Sequence, residues 1–203
     1  MIDEKMLADV VHFHGHMCPG LAIGVRAAEV ALREIGSHSV DEEVVCQVET
    51  DMCAVDAIQF LTGCTFGKGN LVHRDWGKNA FTFWRRSDGQ ALRIRTRPGA
   101  FVTDADAERQ SLFAAVRQGT ASAAENARFQ ELHLQRSRLI LEAPEADLLE
   151  FFPVDTPLPA HARIHESVRC AECDEPTMAT RIEIVDGRSL CPPCRERATQ
   201  LVR

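Results

Sequence analysis

Long apolar runs are absent from the sequence, and positive charge is scarce. No segment of the 203 residues approaches the roughly 18 uncharged apolar residues of a membrane-spanning helix, which excludes an integral membrane protein. Residues 1–7 are acidic and lack the apolar segment of a secretory leader, so we expect a cytoplasmic protein. Lysine and arginine total 23 against 30 acidic residues, a net charge of −7. An acidic chain lacks the electrostatic footprint of a general nucleic-acid-binding protein.

The common catalytic motifs are also absent. The sequence contains no Gly-x-Ser-x-Gly, no Gly-x-Gly-x-x-Gly and no His-Glu-x-x-His. The glycine-rich segment 63–69 resembles a phosphate-binding loop, but its spacing is Gly-x3-Gly-Lys and no Ser or Thr follows the lysine. We interpret the segment as a glycine turn with an exposed lysine, and a weak anion site is the alternative.

The composition is that of a globular protein with a hydrophobic core. Hydrophobic residues make up 45% of the chain and charged residues 26%. Eight cysteines in a reducing compartment are expected to be thiols or metal ligands rather than disulfides.

Hydrophobic periodicity predicts both helices and strands in the part of the chain before the proline-rich stretch. Helical spacing runs from Pro19 to Gly36 and again from Thr50 or Asp51 to Gly63. Strands are predicted within residues 41–50 and in a hairpin of residues 80–86 and 91–97. Two further helices are predicted between Asp104 and Ala143, with a break at Gly119.

The predicted hairpin is rich in arginine. Arginines on strands usually form a solvated or salt-bridged face; the alternatives are an anion pocket or a contact with the acidic surface of a second subunit. The side chains concerned are those of Arg85, Arg86, Arg93, Arg95 and Arg97.

A proline-rich stretch separates two parts of the chain. Residues 151–160 contain Pro153, Pro157 and Pro159, which cannot donate backbone hydrogen bonds, and this predicts a semi-rigid linker. Cysteine density rises sharply after it. We therefore predict a core domain over residues 1–159 and a small second domain over residues 160–203.

The second domain carries two Cys-x-x-Cys pairs, Cys170 with Cys173 and Cys191 with Cys194, separated by 17 residues. Two such pairs complete the tetrahedron that zinc prefers. A hairpin predicted over residues 180–190 would bring the pairs together, and a short helix is predicted over residues 195–200. This order resembles a treble-clef zinc finger.

Two other interpretations of these pairs are redox motifs and plain buried cysteines. Neither pair lies in the βαβ scaffold that a thioredoxin-type motif needs. About forty residues bury too little apolar surface to fold unaided, whereas structural zinc contributes roughly 10–16 kcal/mol. We therefore expect a closed structural zinc site, because four thiolates leave no open position.

A second cluster of metal-ligating residue types precedes the first predicted helix. Within seven residues lie His12, His14, His16 and Cys18. In an extended segment, alternate residues point the same way, so these four side chains are expected to share one face. Cys18 would lie at a helix N-terminus, where the dipole and free N–H groups lower the pKa of a thiol.

Two more cysteines are placed similarly, each at one end of the second predicted helix. Cys53 lies in the first turn of the second predicted helix and Cys64 just past its end, whereas Cys46 on an apolar strand face fits a small core residue. Mixed imidazole and thiolate ligands suit zinc or another transition ion, which predicts a second metal site with Cys18 as the candidate catalytic group. The alternative is a solvated histidine-rich turn with a buried Cys18.

Three segments together resemble a known family. They are 14–20 (HGHMCPG), 51–59 (DMCAVDAIQ) and 62–70 (TGCTFGKGN), and they resemble FmdE, one of the subunits of formylmethanofuran dehydrogenase. The likeness runs in order over most of residues 1–140. The C-terminal domain resembles the treble-clef finger that some members of this family carry.

The resemblance implies an α+β core domain, with helices packed on a mainly antiparallel sheet, that usually forms a homodimer. It also implies association with a molybdenum- or tungsten-dependent formylmethanofuran dehydrogenase, which interconverts carbon dioxide and a formyl carrier in methanogens. Carried over by motif match, His14, His16, Cys18, Cys53 and Cys64 would line a metal-binding pocket.

We therefore expect a metal-binding subunit or accessory of a formyl or formate oxidoreductase. Two other function classes stay open. One is a stand-alone redox or metal-dependent enzyme that uses the Cys18 cluster. The other is a regulator whose finger binds a protein or a nucleic acid; the net neutral charge of residues 161–203 disfavours nucleic acid.

Overall fold

The computed structural model describes residues 2–100 and 105–200, so Asp104, the first residue of the third predicted helix, lies outside the described residues. The chain forms two compact units, Met1–His161 and Ala162–Arg203, which we call the core domain and the finger. No helix in the described part of the chain is long and apolar enough to cross a membrane.

The described residues of the core domain form helices and one five-stranded sheet. In chain order the elements are α1 (Glu4–His14), α2 (Pro19–Glu34), β1 (Val44–Val48), α3 (Ala54–Thr62), β2 (Leu71–His73), β3 (Ala80–Arg85), β4 (Ala91–Thr96), α4 (Ala105–Gln118), α5 (Ala123–Glu142), α6 (Glu145–Leu148) and β5 (Leu149–Pro153).

The sheet confirms the predicted fold class. Its strand order is β2-β1-β3-β4-β5; β1 and β2 are parallel, and the other pairs are antiparallel. Side chains alternate along each strand, so one face packs against residues of α2, α3 and α5 to form the main core. On β1, Val44, Cys46 and Val48 belong to that core, which confirms Cys46 as a small core residue.

Helix α1 is the largest departure from the sequence-based prediction. The Asp3 carboxylate caps it by accepting the N–H of Met6 (2.7 Å), and Gly15 ends it with a positive φ of 96°. Its residues Met6, Leu7 and Val10 follow a helical spacing that is short and therefore easily overlooked. The histidine segment is helical up to His14 rather than extended.

The structure also differs from the prediction at the proline-rich linker, residues 151–160. Residues 151–153 belong to β5, which pairs with β4, and only residues 154–160 are without regular structure. β5 is an edge strand of the sheet, so the missing N–H of Pro153 leaves no ladder bond broken.

Each hairpin arginine has an acidic partner, which confirms the interpretation as a salt-bridged face. The pairs are Arg85–Asp88, Arg86–Glu42, Arg93–Glu49, Arg95–Glu150 and Arg97–Glu150.

The glycine-rich loop does not present a free lysine. The Lys68 ammonium donates to the carbonyl oxygens of Ser39 (2.8 Å), Val40 (3.2 Å) and Asp41 (2.8 Å). These contacts tie the loop to the segment before β1. The predicted glycine turn is present over residues 66–69. The ammonium is not free to bind an anion, because the three carbonyl groups already use its donors.

The finger consists of two short hairpins and a helix. Its elements are β6 (Ser167–Arg169), β7 (Pro176–Met178), a 3-10 turn (Ala179–Arg181), β8 (Glu183–Val185), β9 (Arg188–Leu190) and α7 (Pro192–Gln200). The predicted second hairpin and helix are present. The hairpin of β6 and β7, which surrounds the first cysteine pair, is an addition to the prediction.

Candidate metal centres

The finger brings its four cysteines together. The sulfur atoms of Cys170, Cys173, Cys191 and Cys194 all lie within 4.8 Å of one another. Those of Cys173 and Cys191 are 3.8 Å apart. A tetrahedral ion with metal–sulfur bonds near 2.3 Å requires an edge of about 3.8 Å. The cluster can therefore hold a structural metal ion.

Local structure explains this arrangement. The first cysteine pair lies in the turn between β6 and β7, and the second pair opens α7 directly after β9. The Cys191 N–H donates to the sulfur of Cys170 (3.4 Å). Hydrogen bonds from the N–H groups of Cys173 and Cys191 lower the pKa of Cys170 to about 6, which favours the thiolate that binds metal.

The core domain contains a second cluster, formed by His14, Cys18 and Cys53. One ligand atom from each lies within 4.8 Å of the other two. His14 Nε2 and the Cys18 sulfur are 3.8 Å apart, close to the roughly 3.6 Å expected for a nitrogen and a sulfur on one tetrahedral zinc ion. The imidazole and two thiols are thus spaced for a shared ion.

Each of these residues lies at the end of a helix. His14 is the last residue of α1, Cys18 is the N-cap of α2, and Cys53 is the N-cap of α3. The Cys18 sulfur accepts the N–H of Leu21 (3.3 Å). The Cys53 side chain makes no capping bond, so its sulfur is available to the cluster.

Two glycines let α3 approach α2 closely enough to place Cys53 beside Cys18. A Cβ built on Gly24 would lie 2.3 Å from the carbonyl oxygen of Ala54, and one built on Gly20 would lie 3.1 Å from the Cβ of Cys53. Gly20 and Gly24 are four residues apart and share one face of α2. The glycines therefore determine the distance between the two helix starts.

Asp56 orients the histidine, a role that the sequence motifs do not indicate. Its carboxylate lies 2.7 Å from His14 Nδ1, which leaves Nε2 directed at Cys18. A carboxylate on the second ring nitrogen fixes the tautomer and orientation of a metal-ligating histidine. The one sequence feature that could indicate this role is the spacing of Asp56, which follows Cys53 by three residues and lies in the first turn of α3.

The remaining candidates lie outside this three-residue cluster. The His16 ring contacts that of His14, with centroids 4.8 Å apart, and is exposed. His12 is exposed on α1, because a helix rotates residues two apart to different sides. Cys64 is fully buried in the main core, where its thiol donates to the Val44 carbonyl (3.5 Å).

The lowered pKa predicted for Cys18 is wrong, because burial acts against the thiolate. Cys18 is 4% exposed and packs in an apolar cluster with Val10 and Leu21. This burial raises the pKa of Cys18 to about 11, although the N–H groups of Leu21 and Gly20 act in the opposite direction. Desolvation therefore outweighs the helix N-terminus.

Comparisons with known proteins agree with this fold. A family model described as "FmdE, Molybdenum formylmethanofuran dehydrogenase operon" matches residues 13–150. The chain is also 34% identical over 198 residues to a probable S-adenosyl-L-methionine-binding protein from Archaeoglobus fulgidus. That alignment covers 94% of this chain and 52% of the relative, so the chain spans about half the relative's length.

A solved structure shares the fold. It is the crystal structure of a tungsten formylmethanofuran dehydrogenase FmdE-like protein from Syntrophus aciditrophicus, with a TM-score of 0.63 and 24% sequence identity. The match covers 96% of this chain and 92% of that chain.

Proposed function

The chain belongs to the FmdE family, and we propose that it is a cytoplasmic metal-binding protein. In this proposal it acts as a subunit or accessory of a molybdenum- or tungsten-dependent oxidoreductase of the formylmethanofuran dehydrogenase type. The observation that carries the proposal is the group of His14, Cys18 and Cys53, whose ligand atoms lie within 4.8 Å of one another. In this proposal the finger holds structural zinc and the core cluster holds a second transition ion.

The core cluster has the chemistry that a borderline transition ion requires. One imidazole and two thiols form a mixed nitrogen and sulfur donor set, which suits zinc and its neighbours. The Asp56 carboxylate contacts Nδ1 of His14 and so orients the ring with Nε2 toward the cluster. Three protein ligands leave a fourth position open for water or a small ligand, in contrast to the closed site of the finger.

The alternative of a stand-alone thiol enzyme is less well supported. A free nucleophile must reach its substrate as an accessible thiolate. Cys18 is 4% exposed and is engaged by the Leu21 N–H, which favours a ligand role over that of a free nucleophile. A regulator that binds through its finger stays an alternative for the second unit.

Metal analysis of Cys18→Ser tests the core site. We expect two metal ions per chain in the wild type and one in Cys18→Ser, because removing a thiolate from a three-ligand site abolishes tight binding. Circular dichroism should show both proteins folded. Cys64→Ala is the matched control, since its thiol lies in the core outside the cluster and both ions should be retained. Equal metal content in wild type and Cys18→Ser would refute the site.

Replacing Asp56 with Asn should weaken the core site without removing a ligand. The amide leaves a hydrogen bond to His14 but no negative charge, and loss of such outer partners typically lowers metal affinity about 10–100-fold. Competition with a chromophoric chelator measures the affinity. Asp51→Asn removes a nearby exposed carboxylate and should change nothing. Unchanged affinity in Asp56→Asn would mean that Asp56 does not support a metal ligand.

We also propose that the protein is a homodimer and contacts the other subunits of the larger oxidoreductase. The proposal rests on membership of the family and on the sequence resemblance described above. Sedimentation at micromolar concentration should give a dimer, and a monomer would contradict this part of the proposal. Mild purification from the native cell, followed by identification of co-purifying proteins, separates a subunit from a stand-alone protein.

A second candidate function is binding of S-adenosyl-L-methionine. The relative named for this ligand is 34% identical to the chain over 94% of its length, which favours a shared property. Because the chain spans about half of that relative, the ligand-binding part of the relative need not be the shared half. Equilibrium dialysis with radiolabelled S-adenosyl-L-methionine tests the candidate directly: saturable binding supports it, and none at millimolar concentration rejects it.

A further inference from the structure

The second face of the sheet, opposite α2 and α3, carries a cavity that neither metal centre uses. Its volume is about 640 Å³, and it lies between the sheet and residues 154–160. Cavities of about 300–1,000 Å³ are the usual size of small-molecule sites. The space is therefore large enough for a ligand of nucleotide size.

Polar side chains form the floor of this cavity, because the strand register places them side by side. Gln47 pairs with Thr82, and Thr82 pairs with Arg93, so the three side chains form one row across β1, β3 and β4. Glu49 lies beside them and is 0% exposed. Both of its carboxylate oxygens bind the Arg93 guanidinium, so this buried pair is neutral as a unit.

Arg74 makes the cavity electropositive. Within the described residues its guanidinium has no hydrogen-bonded or ion-paired carboxylate, and the adjacent Asp75 does not line the cavity. With the Glu49–Arg93 pair neutral, the lining carries a net charge of +1 in a chain whose net charge is −7. A positive lining on an acidic protein favours an anionic ligand.

Both tryptophans of the chain also line this cavity. Trp84 is 3% exposed and its indole N–H donates to the Thr156 carbonyl (3.2 Å), so it forms a fixed wall. Trp76 is 56% exposed and offers an open aromatic surface. The Lys78 ammonium lies 5.9 Å from the centre of the Trp76 ring, which places a second positive charge beside that surface.

We propose that this cavity binds an aromatic anion of nucleotide size, whose ring stacks on Trp76 and whose anionic group is held by Arg74. Base stacking on an exposed indole and charge-assisted hydrogen bonds from a guanidinium are complementary interactions at the two ends of such a ligand. The site is independent of the metal centres and of the function proposed above.

Intrinsic fluorescence provides a selective test, because the chain has two tryptophans and no tyrosine. All tryptophan emission therefore arises from this cavity. Titration of the full chain with adenosine 5′-monophosphate should change the emission in a saturable way. Adenosine, which lacks the phosphate, and inorganic phosphate, which lacks the ring, should each bind at least about tenfold more weakly.

Variants assign the binding to the named side chains. Arg74→Gln should weaken adenosine 5′-monophosphate binding by about tenfold or more, and Trp76→Ala should do the same in isothermal titration calorimetry, which does not need the lost fluorophore. Arg138→Gln removes an exposed arginine on α5 and should bind like wild type. No saturable binding of the nucleotide at millimolar concentration would overturn the proposal, as would unchanged affinity in Arg74→Gln or equal binding of inorganic phosphate.

Discussion

Removing the metal from the finger is expected to unfold it while the core domain stays folded. Among the described residues of the finger, the buried apolar side chains are those of Cys170, Leu190, Cys191 and Cys194, with Ile182, Val185 and Ala198 packed against them. Three of these four residues belong to the candidate metal cluster, so little hydrophobic core is left once an ion is removed. Structural zinc contributes roughly 10–16 kcal/mol in comparable small domains, far more than these few side chains can replace.

Amide hydrogen exchange with and without a strong chelator measures this effect separately in the two units. We expect protection in β8, β9 and α7 to be lost on chelation and in Cys170→Ser, while protection in α2 is kept. Ser189→Ala, an uncharged change in β9 that spares the ligands, should keep the finger protected. A chelated finger whose β8–β9 hairpin stays protected would contradict a metal-dependent fold.

Gly24→Ala is expected to be the most destabilising small substitution in the contact between α2 and α3. The added methyl group would lie 2.3 Å from the Ala54 carbonyl oxygen and 2.7 Å from its Cα. These atoms belong to the backbone and cannot rotate away, so the helices must separate. Overpacking typically costs about 1–3 kcal/mol and occasionally more, against about 1 kcal/mol gained in helix propensity. We expect a net loss of about 1–2 kcal/mol, toward the upper limit of this difference because the clash is with backbone atoms.

Denaturant unfolding of the core domain measures the change, and Gly67→Ala is the matched control. A Cβ on Gly67 would meet nothing within 4 Å, and its φ is not positive, so this substitution should be close to neutral. Gly24→Ala should also lower the metal content of the core site, because Cys18 and Cys53 move apart with their helices. A Gly24→Ala protein as stable as wild type would contradict the close packing.

Features that depend on local sequence could be predicted. The two Cys-x-x-Cys pairs, the hairpin over residues 180–190 and Pro19 at the start of α2 each depend on residues close together in the sequence. Their spacing therefore identified the finger and the first long helix. The family resemblance added the association of the Cys18 and Cys53 segments, which lie far apart in the sequence.

Features that depend on tertiary packing could not be predicted from the sequence. Whether Cys64 reaches the cluster depends on how α3 lies against the sheet, and the structure buries this thiol beside β1 instead. The pKa of Cys18 depends on side chains from α1 and α3 that cover it, which no local pattern reveals. Asp56 gains its role only because α1 brings His14 to the first turn of α3.

The central claim is that the core domain itself binds a metal through one imidazole and two thiolates. X-ray absorption at the zinc edge tests it most directly in a Cys170→Ser, Cys194→Ser protein, whose finger site is disabled. We expect retained zinc with two sulfur ligands near about 2.3 Å and nitrogen or oxygen ligands near about 2.0–2.1 Å. A protein without zinc or any other transition ion, or a bound ion without sulfur ligands, would contradict the claim.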